Sequence, residues 1–243
     1  MKKITLILIA LLIQGTASAH YLWIETNPVA NLNEEHLIKV RYGEYTYGAI
    51  EKPGSEAFNG VKNFKLWLVS PSGMKMKLKT TPGKEFYQAS FVPLEKGSYT
   101  IALNNEEIEV LDYTEYDFGV FKPQYHAKAR VTVGDTPEAI TQTNANGIEI
   151  INLSRTIAGK NNEVKLKVIF KGQPIADQEV VIYISDLWSK KVITDKDGEV
   201  NFSLPWGDTL YTVETTYNEN VPGKYKQKDY EFIWHCATYA IAI

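Results

Sequence analysis

Short runs of alternating apolar and polar residues, broken by Gly, Pro, Asn and Asp, follow one another along most of this chain. Side chains alternate between the two faces of a strand, so such runs predict half-buried β-strands. In the first half the pattern predicts strands at Tyr21–Glu25, His36–Tyr42, Phe64–Ser70, Met74–Thr80, Phe86–Phe91, Ser98–Leu103 and Glu107–Leu111. Pro71-Ser72-Gly73 and Glu95-Lys96-Gly97 read as hairpin turns. Lys122–Val133 gives a further strand. Tyr125, Ala127, Ala129, Val131 and Val133 fall on one of its faces. His126, Lys128, Arg130 and Thr132 fall on the other, which reads as exposed surface.

The segment from Gly134 to Gly147 is polar and turn-rich and marks a domain boundary. Beyond it, EVKLKVIFKGQPIADQEVVIYISD predicts two strands around a Gly172-Gln173-Pro174 turn. A hairpin turn at Asp195–Gly198, Pro205-Trp206-Gly207 punctuation and a last strand at His235–Ile243 follow. The order G-x-P-x-x-x-x-x-V, then T-D-x-D-G-x-x-x-F, then a Pro/Gly turn covers about residues 163–217. It resembles the prealbumin-like modules of the carboxypeptidase-regulatory kind. The expected fold is therefore all-β: two β-sandwich domains in tandem, Ig-like or prealbumin-like, over residues 20–135 and 146–243.

The start, MKKITLILIALLIQGTASA, combines Lys2 and Lys3, an apolar run from Ile4 to Ile13 and an Ala17-Ser18-Ala19 site. That order is the one a cleaved secretory signal has, and the apolar run is shorter than a bilayer span requires. Residues 1–19 are expected to be removed after Ala19 on export to the periplasm, leaving His20 as the first residue. No later apolar segment reaches the ~20 residues of a membrane helix. The 26 Lys+Arg and 29 Asp+Glu leave the chain mildly acidic without a basic cluster, which argues against nucleic acid and anionic membranes as partners. One cysteine, Cys236, excludes an internal disulfide and reads as a small buried residue.

No H-E-x-x-H, C-x-x-C, G-x-S-x-G or phosphate-cradling glycine loop is present, so no catalytic residue is assigned. Asp195-Lys196-Asp197-Gly198 lacks the downstream Glu of a calcium loop. The candidate chemistry lies in the four histidines. A mature N-terminal His20 offers an α-amine and a ring nitrogen on one residue, which together close a chelate ring. Amine and imidazole nitrogens suit Ni, Co, Cu or Zn rather than Mg or Ca. His235 stands in the apolar run WHCATYAIAI, as a satisfied core residue or as a ligand on a rigid strand. His126 is an exposed residue of the polar face or a third ligand. His36 aligns with Ile38, Val40 and Tyr42 as a half-buried strand residue. The metal set to test is His20, His235 and His126.

AHYLWIE, KPQYHAKARVTVG and EFIWHCATYAIAI together resemble the exported two-domain β-proteins of domain of unknown function family 4198. Its members are often described as periplasmic components of nickel or cobalt uptake. The resemblance implies export, two sandwich domains and a tie to divalent transition metal. It carries over His20 in H-x-L-W-x-E and His235 in W-H-x-A-T. The leading expectation is a non-enzymatic metal-binding protein that serves a membrane metal importer with nickel, cobalt or copper. A structural or carbohydrate-contacting sandwich and a copper oxidase or monooxygenase are the alternatives.

Overall fold

The protein is seen here as a computed structural model that describes residues 20–134, 142–185 and 187–243. The expected leader, residues 1–19, and residues 135–141 of the expected linker lie outside the described residues. The first half contains β1 (Tyr21–Thr26), β2 (His36–Glu44), β3 (Ala49–Ile50), helix α1 (Glu56–Val61), β4 (Lys65–Val69), β5 (Lys75–Leu78), β6 (Thr81–Pro82), β7 (Tyr87–Phe91), β8 (Gly97–Asn105), β9 (Leu111–Tyr113) and β10 (Gly119–Val133). The second contains β11 (Ile148–Asn152), β12 (Glu163–Phe170), β13 (Gln173–Pro174), β14 (Glu179–Tyr183), β15 (Ser189–Ile193), β16 (Glu199–Ser203), β17 (Leu210–Glu219), β18 (Gly223–Tyr225), β19 (Lys228–Tyr230) and β20 (Phe232–Ala242). The fold is all-β, built of sandwiched sheets. Among the described residues no helix is long and apolar enough to cross a membrane.

One nine-stranded sheet runs through both halves in the order β15-β14-β17-β20-β10-β8-β4-β5, with β9 on β10. The halves meet at β10 and β20, which pair in parallel from Phe121↔Phe232 to Ala129↔Ala240. A sheet of β1, β2, β7 and β6, with β3 on β2, packs on one face. The sheet of β11, β12, β13 and β16 packs on the other.

Two cores result, and alternation along the shared strands feeds both. Tyr125, Ala127, Trp234 and Cys236 join Leu22, Trp23 and Ile24 in the first. Ala237, Tyr239 and Ile241 join Ile150, Leu166 and Val213 in the second. Full burial of residues such as Leu22 and Ile24 contributes about 1.5–3 kcal/mol each. Each half also ties a tyrosine to the chain just upstream. The Tyr99 hydroxyl accepts from the Leu94 and Glu95 amides, and the Tyr211 hydroxyl accepts from the Trp206 amide and donates to its carbonyl. Such tyrosine corners are a mark of Ig-like sandwiches.

Three local expectations are corrected. Glu95–Gly97 and Asp195–Gly198 reverse the chain but are crossovers, not hairpins, because β7 and β8, like β15 and β16, belong to different sheets. Turn residues encode a reversal and say nothing of which sheet receives the next strand. Glu107–Val110 alternates and buries Ile108 and Val110 but forms no ladder; the strand begins at Leu111. His126 and Lys128 are not exposed: they are buried at 2% and 3% exposure beneath the second sandwich.

The expected domain limits are testable on this architecture. A fragment of residues 20–135 lacks β20, so it loses Trp234, Cys236 and Ala240 from its core and leaves one edge of β10 unpaired. Expressed alone it is expected to aggregate, and co-expression with residues 146–243 to return a soluble complex on size-exclusion chromatography. A monomeric fragment with a cooperative melt would show that the first half folds without its neighbour.

Candidate metal centre

The register that pairs Tyr21 with Gly43 carries His20 one step further, opposite Glu44. On the other side of β2, Gly43 pairs with Ile50, and the Glu51 amide donates to the Tyr42 carbonyl at 2.9 Å. The end of β2 thus gathers His20, Glu44 and Glu51. Gly43 permits this crowding: its φ is +142°, and a Cβ there would overlap the Ala49 carbonyl oxygen.

His20 Nδ1 lies 3.0 Å from Glu44 Oε1, and Nε2 lies 3.4 Å from Glu51 Oε1. Its ring packs 5.4 Å from that of Tyr42, and the Tyr125 hydroxyl donates to its carbonyl at 2.9 Å. Glu51 accepts from the Ser55 hydroxyl at 3.0 Å, and Ser55 in turn accepts from the Phe58 amide to cap α1. The His20 side chain keeps a third of its surface exposed, so a small ion can reach it.

His126 and His235 lie on the opposite face of the nine-stranded sheet from His20. They project with Lys128 and Ala237, whereas Tyr125 and Cys236 project toward β1. Both line one small polar pocket with Asn104, Glu106, Gln124 and Asn144. The structure therefore brings His126 and His235 together and holds His20 apart from them. Among the described residues no three His, Cys, Asp or Glu side chains are arranged around one metal position.

His126 is fully tied. Its Nδ1 donates to Asn104 Oδ1 at 2.8 Å, and its Nε2 faces the Thr143 hydroxyl at 3.3 Å. Burial, then the neighbouring Lys128 ammonium, pushes its pKa down to about 3, so the ring is neutral. Lys128 pairs with Glu149 at 2.9 Å. Burial disfavours the Glu149 charge, but Lys128 and the Thr143 amide hold the carboxyl below its ordinary range. His235 Nε2 meets Glu219 Oε2 at 3.0 Å, and burial lowers its pKa although Glu219 opposes the shift.

His36 is a buried strand residue, with Nε2 2.8 Å from the Thr26 hydroxyl. Cys236 is buried, its thiol 3.7 Å from Glu214, and burial raises both groups, the carboxyl to about 7. Sequence reading missed Glu44, Glu51, Glu106 and Glu219, because ordinary-looking surface carboxylates acquire their partners only through sheet register. It also missed α1, although Ser55-Glu56 after Pro53-Gly54 is a helix-start signal.

His126 makes a prediction about pH. Its folded pKa lies below the unfolded value near 6.5, so the unfolded chain binds the extra proton first. Stability is thus lost as pH falls from about 6.5 toward 3. His126→Gln should flatten that part of the curve of unfolding free energy against pH, measured by denaturant titration. An unchanged slope would remove His126 as its source.

Among known proteins, the family described as domain of unknown function DUF4198 matches residues 17–219. No curated protein matches the chain. Solved structures with detectable likeness include a DUF4785 family protein from Legionella pneumophila, at 9% identity and a TM-score of 0.31. That alignment covers 82% of this chain and 53% of the other. The BSP domain of a biofilm associated protein aligns at 8% identity and a TM-score of 0.23, over 91% of this chain and 29% of that one. The chain thus spans about half the length of the first and under a third of the second, and scores this low carry no argument.

Proposed function

The chain belongs to the DUF4198 family, and we propose from its N-terminal geometry that it is a periplasmic protein that binds a divalent transition metal, nickel, cobalt or copper, as cargo for a membrane importer. The observation that carries this reading is the 3.0 Å separation of His20 Nδ1 and Glu44 Oε1. Two donors about 2.1 Å from one ion, at right angles, stand about 3.0 Å apart. An ion in place of the shared proton would have both as ligands, and the α-amine freed by cleavage after Ala19 closes the chelate. Glu51 at Nε2 takes the part of the outer carboxylate that fixes ring orientation in metal-bound histidines. Tyr125 anchors the residue's carbonyl. His126 and His235 have no place in this ligand set, so the three-histidine centre is not part of the reading.

Calorimetry with Ni²⁺ and Cu²⁺ on residues 20–243 tests it. Copper is expected to bind tighter than nickel, following the intrinsic order for nitrogen donors. His20→Ala or a Met-extended N-terminus should lose most of the affinity, Glu44→Gln should lose roughly tenfold or more, and His36→Ala should lose none. Affinity should fall as pH is lowered, because protons compete with the metal for the nitrogen donors. Equal binding by the extended and mature proteins would overturn the reading and leave a structural sandwich.

A further inference from the structure

We propose that the pocket between the two halves is a second cation site, in which His235 Nδ1 and the Glu106 carboxylate hold a divalent first-row metal such as Zn²⁺. The site lies on the sheet face opposite His20 and does not rest on the reading of that residue. The parallel register sets Gln124 beside His235, and both line the pocket with Glu106 and Asn144. His235 is 2% exposed, and Glu219 engages its Nε2 at 3.0 Å. Glu219 is itself held by Lys171. A carboxylate on one ring nitrogen leaves the other as a lone-pair donor of raised basicity, the arrangement that metal-bound histidines use.

The free nitrogen faces Gly147. A Cβ at this position would stand 3.0 Å from His235 Nδ1 and 2.8 Å from Asn144 Nδ2, so any side chain there would press on Nδ1. The backbone of Gly147 is not in the left-handed region, which leaves close approach as the demand for glycine. Glu106 is an exposed residue of the pocket lining, and its charge acts on His235. Within the lining His126 stays neutral, and the Lys122 ammonium beside it donates to the Glu106 main-chain carbonyl at 2.6 Å, so a bound ion must compete with Lys122 for the Glu106 charge. One imidazole nitrogen, one carboxylate and the Gln124 amide make a mixed nitrogen and oxygen set, which suits a borderline ion.

The test uses the mature chain, residues 20–243, carrying His20→Ala so that the N-terminal site is removed. Titration with Zn²⁺ followed by calorimetry and by imidazole ¹⁵N spectra should show one equivalent bound and a shift of the His235 Nδ1 resonance. Added to this background, Gly147→Ala and the surface change Glu106→Gln should each weaken binding tenfold or more, with an unchanged circular dichroism spectrum. Absence of Zn²⁺ binding, binding that leaves His235 Nδ1 unshifted, or full affinity in both variants would overturn the proposal. Failure at His20 is read separately, as equal stoichiometry in the wild-type chain and His20→Ala.

Discussion

Parallel pairing of β10 with β20 governs the molecule because it joins strands almost a hundred residues apart along nine consecutive positions. Parallel strands are stable chiefly when both faces are covered. Here β1 and its sheet cover one face, and β11 and its sheet cover the other. From that constraint follow the two cores, the burial of most residues of both strands, and the contribution of Trp234, Cys236 and Ala240 to a core otherwise drawn from the first half.

The same constraint explains where sequence reading stopped. Period-two alternation located most strands to within a residue or two, and it set Tyr125, Ala127 and Ala129 on one face, which the structure buries. It also marked His126, Lys128 and Arg130 as one polar stripe, which is true of their direction. Polarity then suggested solvent, whereas the stripe is covered by β11 and satisfied there. Glu149 answers Lys128, Asn104 and Thr143 answer His126, and the Ser154 and Thr156 carbonyls accept from Arg130. Buried polar groups cost little once they are hydrogen-bonded, but the partners come from distant strands and no local pattern announces them.

The N-terminal site divides in the same way. His20 was legible from the expected cleavage position and the chelating chemistry of a terminal histidine. Glu44 and Glu51 were not, since they reach His20 through the antiparallel register of β1 on β2 and the return of the chain at β3. Convergence of His20 with His126 and His235 was a question of faces. A strand sends neighbours to opposite sides, so the hydroxyl of Tyr125 meets His20 while His126 points away from it.

That alternation places the two candidate centres back to back on a single ribbon. Tyr125 and His126 are consecutive in β10, and His235 and Cys236 are consecutive in β20. No side chain can serve both centres, so neither can borrow a ligand from the other. Each instead sets a carboxylate against Nε2 of its histidine, Glu51 at one and Glu219 at the other, while Nδ1 meets Glu44 at the first and faces Gly147 at the second. A shared backbone connects them, and most of its residues are buried. Interiors packed this densely yield little to a ligand at one side. The two centres are therefore expected to fill independently of each other.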